Sequence, residues 1–223
     1  MIYQMVLPLV LPVYLLIPIW ILLGGGIGGL IGVIIGVLLP DKATSIAIFG
    51  STGSGKSTLW QQLQRKFKQE NYHPTLAAEN INQFIIEYDG KKKKISKSKD
   101  FSGQHEMVKE YGEIIMEGTF IYYLIDLTSL NEYKKETRAR IKAIYNVIKQ
   151  KSLNDKVGIR FVATHFNEYL KLNPGKTISD AQTEIIYTLG LKNIDGVSID
   201  EAVMVAELTE EKYIKQFFEQ IVK

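Results

Sequence analysis

Cysteine is absent from all 223 residues, which excludes disulfide frameworks, thiolate metal sites and cysteine nucleophiles. Charge is absent from residues 1–40: the 27 basic and 24 acidic side chains all lie from Asp41 onward. Histidine is scarce, with three in the chain, and there are no internal repeats. Composition also excludes collagen, coiled-coil and disordered classes. The overall net charge of +3 is small, so nucleic acid is not an expected partner. What remains divides into two unlike pieces: residues 1–40, expected to be embedded in a membrane, and residues 41–223, expected to form one domain.

Residues 1–40 hold 28 apolar side chains, seven glycines, four prolines and one amide, Gln4. An uncharged apolar run of ~18 residues is already enough to predict a membrane span, because each charge in hydrocarbon costs several kcal/mol. A secretory signal peptide needs a basic leading region, which Met1-Ile2-Tyr3-Gln4 does not offer. Two geometries fit: one long helix, or a helical hairpin turning at Gly24-Gly25-Gly26. Pro8, Pro12 and Pro18 would kink or break the first arm of a hairpin. Gly24, Gly28, Gly32 and Gly36 fall on one helix face, where the lack of side chains lets another helix approach closely, in the same chain or in a second copy. The plainer reading of these residues is that glycine is common in membrane helices. The Lys-rich chain that follows places residues 41–223 on the cytoplasmic side by the positive-inside bias.

From Thr44 the sequence alternates between short β-rich runs and helical stretches. Strands are expected at Thr44 to Phe49, Phe120 to Ile125, Val157 to Ala163 and Val203 to Ala206. Helices are expected at Thr58 to Lys68, Glu132 to Lys151, Ser179 to Leu189 and Glu210 to Lys223. Ile81 to Tyr88 and Lys91 to Asp100 flank Asp89-Gly90, a dipeptide typical of hairpin turns. Alternation of this kind predicts an α/β fold with a mostly parallel sheet covered by helices on both faces. The lysines at 91–94, 97 and 99 read either as a patch for anionic lipid headgroups or as a solvated edge strand that discourages sheet-to-sheet pairing.

Gly50-Ser51-Thr52-Gly53-Ser54-Gly55-Lys56-Ser57 fits G-x-x-x-x-G-K-[ST], between an expected strand and an expected helix. Glycines let the backbone curl until successive N–H groups point at phosphate oxygens, and the helix N-terminus adds its positive dipole end. Lys56 would reach the β- and γ-phosphates, and the Ser57 hydroxyl would ligate Mg²⁺. Residues 51–58, with Ser51, Thr52, Gly53, Ser54, Gly55 and Thr58 beside those two, are therefore the expected nucleotide-binding loop of a phosphate-loop NTPase.

Downstream of the loop the chain resembles the small GTPases, most closely the Arf-like group. Pro74-Thr75 stands where that family has its switch I threonine, and Asp100-Phe101-Ser102-Gly103-Gln104 matches its D-x-x-G-Q. Phe120 to Ser129 is similar to its "IFVVDS" strand, with Asp126 at the end, and Thr177 to Leu191 to its helix ending in "LGL". The resemblance implies that Thr75 completes a Mg²⁺ shell and that Asp100 holds the ion through water. It further implies that the Gly103 N–H senses the γ-phosphate and that Gln104 orients the attacking water. Where the family has N-K-x-D, this chain has Thr164-His165-Phe166-Asn167, and Ala206-Glu207-Leu208 falls at its second base loop. An Asn offers one acceptor where the family's aspartate offers two to guanine, while His165 retains the ability to stack on the base.

The expected function is a membrane-anchored switch that binds GTP or GDP with Mg²⁺ and hydrolyses GTP. Its expected partners are membrane lipid and an effector or activating protein, since no arginine stands where the family marks a finger. In layout it is similar to the β-subunit family of the signal-recognition-particle receptor. Two rivals are an anchored nucleotide-binding module with little turnover and an ABC-type ATPase. The second finds Leu127 where it needs a catalytic Glu, and about 45 residues where it needs a helical subdomain.

Overall fold

A computed structural model describes residues 43–65, 78–101, 108–194 and 203–222. The expected membrane segment, with its Gly24/Gly28/Gly32/Gly36 face, lies outside the described residues, as do Thr75, Gly103 and Gln104. Among the described residues no helix is long and apolar enough to cross a membrane.

Four parallel strands form the centre: β1 (Ser45–Gly50), β6 (Thr119–Asp126), β7 (Gly158–Thr164) and β8 (Val203–Val205), hydrogen-bonded in the order β1-β6-β7-β8. Between β1 and β6 in sequence come β2 (Glu79–Ile81), β3 (Phe84–Tyr88), β4 (Lys91–Ile95) and β5 (Ser98–Asp100). β3 pairs antiparallel with β4 across the Asp89-Gly90 turn, and β2 pairs antiparallel with β5. The expected hairpin is present with each arm broken once, at 82–83 and at 96–97.

Its second arm runs beside β1: Thr44 donates to Lys94 O at 2.8 Å, Ser96 donates to Thr44 O at 2.9 Å, and the Ser98 hydroxyl donates to Ile46 O at 2.9 Å. The lysines at 91–94 therefore lie on the arm nearer to Thr44, with Lys91 and Lys92 exposed. Lys92 pairs across to Glu87 of β3 at 3.4 Å, an exposed pair worth little stability.

Alternation along the strands assigns side chains to two layers. Ile46 and Ile48 of β1 face α1 (Lys56–Leu63) and the last helix, α6 (Glu211–Val222), together with Tyr122, Leu124 and Val162. Ala47 and Phe49 face the other way, towards α2 (Val108–Ile114), α3 (Lys134–Gln150), α4 (Phe166–Leu172) and α5 (Ile178–Leu189). Helix α3 sends Ile141, Ile144 and Ile148 inward at helical spacing, and α6 sends Ile214, Phe217, Phe218 and Ile221. Full burial of one such side chain is worth about 1.5–3 kcal/mol. The α/β expectation with helices on both faces holds for the described residues. Helices α2 and α4 had no expectation; each has only seven residues, too few for periodicity to declare.

Candidate functional site

The loop between β1 and α1 owes its course to glycine. Gly50, Gly53 and Gly55 have φ of 149°, 76° and 91°. A Cβ on Gly50 would stand 2.4 Å from the Leu124 carbonyl oxygen, and one on Gly55 2.6 Å from Leu208 Cδ1. At Gly50 the backbone of the neighbouring strand closes the space to any side chain, and at Gly55 the left-handed φ disfavours one. Within the turn Ser54 N donates to Ser51 O at 3.3 Å, and both serines are buried. Thr52 and Gly53 reach the surface.

Lys56, the first residue of α1, is 5% exposed, and its ammonium donates to Gly50 O and Ser51 O at 2.9 Å each. Its charge therefore lies inside the curl of the loop. Ser57 follows on the helix, and β5 ends beside it at Asp100, whose carboxylate accepts a hydrogen bond from the Ser57 side chain. Asp100 is 4% exposed, and its Oδ1 has no hydrogen-bond partner among the described residues. Burial pushes its carboxyl above the ordinary range, against the Ser57 hydrogen bond and the Lys56 charge, which pull it down. Lys56, Ser57 and Asp100, separated by more than forty positions in the chain, are thus brought together.

This donor set fits a small hard cation that arrives with its own oxygen ligands. One hydroxyl and one buried carboxylate with a spare oxygen are too few for an all-protein cage, and suit Mg²⁺ shared with phosphates. Among the described residues no cluster of three or more His, Asp or Glu side chains offers an alternative cage.

Arg140 of α3 was not anticipated. It is buried, donates to Gly50 O at 3.3 Å and forms an ion pair with Glu136 one turn earlier. It therefore shares the Gly50 carbonyl with Lys56 and props the loop from the opposite layer. The sequence does carry a trace of it: Arg140 falls four residues before Ile144 and eight before Ile148, on the apolar stripe where a solvated arginine does not belong.

The second half of the site lies at the C-terminal ends of β7 and β8. Thr164 Oγ1 lies 3.0 Å from Ser54 O, and Ala206 N donates to Ala163 O at 2.8 Å, so both loops are held against the phosphate loop. His165 caps α4 from a left-handed conformation, φ 58°, tolerable for His though uncommon. Its Nδ1 lies 3.4 Å from Asp126 Oδ1 at the end of β6. The Asp126 hydrogen bond holds the imidazole above its usual pKa, despite desolvation. In return, although burial opposes it, His165 and Thr128 hold the Asp126 carboxyl below its ordinary value. Asn167 turns its side-chain amide to Glu210 Oε1 at 2.8 Å. Glu207, 8% exposed, accepts from the Asn167 backbone N at 3.4 Å and from the Thr209 hydroxyl at 3.1 Å.

The loop after β1, Thr164 and His165 at the end of β7, and Ala206 and Glu207 after β8 all follow the C-terminal ends of parallel strands, where open α/β sheets bind ligands. The Asp126–His165 pair and Arg140 join them. No protein-family model matches the chain, and comparison with curated proteins finds no match.

Proposed function

We propose that the chain is a membrane-anchored, small-GTPase-like protein whose domain faces the cytoplasm, binds GTP with Mg²⁺ and hydrolyses it as a conformational switch. The observation that carries this reading is the buried Asp100 carboxylate, hydrogen-bonded by Ser57 and with a spare oxygen, beside the Lys56 ammonium in a loop that only glycine can form. The strand order supports it too. Four parallel strands in the order β1-β6-β7-β8, with the glycine-rich turn leaving the C-terminal end of β1, are compatible with a phosphate-loop fold. Between α1 and Asp100 the described residues form strands, where an ABC-type ATPase would need a helical subdomain.

In this reading the loop amides from Ser51 to Ser57 and the Lys56 ammonium hold the phosphates, and Thr58 continues the helix beneath them. The Ser57 hydroxyl, Thr75 and, through water, Asp100 would hold Mg²⁺, which would supply positive charge beside the triphosphate. Gln104 orients the attacking water, and the Gly103 N–H and Thr75 respond to the γ-phosphate, so that hydrolysis changes the partner surface. Thr164, His165, Asn167, Ala206 and Glu207 surround the base. An activating protein would supply the missing arginine, worth ~10³–10⁵ in rate. Lipid and a second copy of the chain, through the Gly24 to Gly36 face, are further proposed partners.

The test compares GTP with ATP on the full chain in detergent, first by equilibrium titration and then by release of inorganic phosphate. GTP preference with slow release is expected. Gln104→Leu should keep the affinity and lose about 10²-fold or more of the release rate. ATP preference would sink the GTPase reading, and tight GTP binding with no release even beside membrane extracts would favour the module.

Asp100→Asn should separate stability from function. A buried carboxylate with an oxygen that has no partner among the described residues is costly, so the neutral amide is expected to raise the melting temperature measured without nucleotide or Mg²⁺. The same change should abolish the extra stabilisation that Mg²⁺ adds to triphosphate binding. A melting temperature that falls in metal-free buffer would contradict the burial argument.

A further inference from the structure

The base loop departs from the small-GTPase pattern at the position that reads guanine, and the structure offers a replacement from another strand. Guanine presents two adjacent donors, N1–H and N2–H₂, which a carboxylate can accept together and a carboxamide cannot. Asn167 is a carboxamide, and its Nδ2 is already committed to Glu210 Oε1 at 2.8 Å. Glu207 stands next to it, entering from the end of β8. The residue is 8% exposed, with Oε2 3.4 Å from the Asn167 backbone N and Oε1 3.1 Å from the Thr209 hydroxyl. Among the described residues each oxygen thus accepts one hydrogen bond, and a carboxylate oxygen can accept a second. The segment is also fixed relative to the phosphates. Leu208 lies against Gly55, its carbonyl accepts from Gln62 of α1 at 3.2 Å, and Thr164 is tied to Ser54.

We infer that Glu207, and not Asn167, supplies the carboxylate that recognises the base, accepting from the N1–H and N2–H₂ of guanine. This inference rests on the nucleotide-binding reading above and assigns its specificity to a residue of β8's loop. Adenine turns an acceptor, N1, where guanine has a donor, so the same carboxylate repels it. Xanthine keeps the N1–H but has a carbonyl at position 2, which faces a carboxylate unfavourably and a carboxamide favourably. The two candidate readers therefore predict opposite preferences: a base read by Glu207 should be guanine, and a base read by the Asn167 amide should be xanthine.

Equilibrium titration of the full chain in detergent with Mg²⁺ and GTP, XTP or ATP decides between them. Wild type is expected to prefer GTP over XTP by about 10²-fold, the scale of a hydrogen bond to a charged group gained or lost. Glu207→Gln should invert that ratio by gaining XTP affinity, a gain that no misfolded variant can mimic. Wild type favouring XTP, or Glu207→Gln keeping the wild-type ratio, overturns the inference while leaving nucleotide binding intact. Wild type binding none of the three overturns the nucleotide reading itself, and this assignment with it.

Discussion

Lys56→Ala is expected to weaken triphosphate binding by about 10²-fold or more, the largest functional loss from any single side chain in the loop. The ammonium is 5% exposed and already donates to two loop carbonyls at 2.9 Å, so its direction is set by the fold. Phosphate oxygens in the curl would take over one or both of these hydrogen bonds. Hydrogen bonds that involve a charged partner are worth about 1.5–3 kcal/mol each, and 1.4 kcal/mol is a factor of ten, which brings two of them to about 10²–10⁴. The loss should be general across GTP, GDP and XTP, because in the proposed reading Lys56 would meet phosphate and not base. Thermal melting without nucleotide provides the control, since the alanine also leaves the Gly50 and Ser51 carbonyls short of a donor. Affinity retained within threefold would show that the loop does not hold phosphate.

Gly50→Ala should produce the largest loss of stability of any methyl-sized change in the loop. The added carbon would lie 2.4 Å from the Leu124 carbonyl oxygen and 2.6 Å from Ser54 Oγ, at a φ of 149° that side-chain-bearing residues rarely adopt. Overpacking and backbone strain each cost about 1–3 kcal/mol. Together they should lower stability by about 2–6 kcal/mol and the melting temperature by roughly 10 °C for a domain of this size. The contrast is Gly53→Ala, where φ is 76° but nothing lies within 4 Å of the new carbon. There only the strain remains, on the order of 1 kcal/mol. Equal melting temperatures for the two variants would mean that β1 and β6 can separate at Gly50 without penalty.

What could be read from the residues beforehand follows from which signals are local. The loop was legible because spacing and residue type together encode one backbone path. The strands from Phe120 to Ile125 and from Val157 to Ala163 were legible because continuous apolar runs have few other uses in a charged domain. The hairpin was legible at its Asp-Gly turn, but its two interruptions depend on where the arms meet β1 and each other, which no local pattern records. The Asp126–His165 pair joins the last residue of β6 to the residue that follows β7, and Arg140 reaches Gly50 from a helix ninety positions away. Glu207 was placed in the base loop by order along the chain. That its carboxylate is buried and aligned by Asn167 and Thr209 comes from the pairing of β8 with β7, which is a tertiary fact.

Helix α6 has a consequence for how the protein is made. Ile46 and Ile48, near the start of the domain, are sealed by Ile214, Phe217, Phe218 and Ile221 at its end, and Tyr88 of the hairpin stacks on Phe218 at 5.9 Å. The part of that face which α6 covers, beside the part under α1, therefore stays open to water on the ribosome until residue 222 has emerged from the exit tunnel. Domains generally fold as units, and non-local contacts form slowly. At ~5–20 residues per second, the phosphate loop's own strand waits about ten to thirty seconds for its cover, an interval in which a chaperone has something apolar to hold.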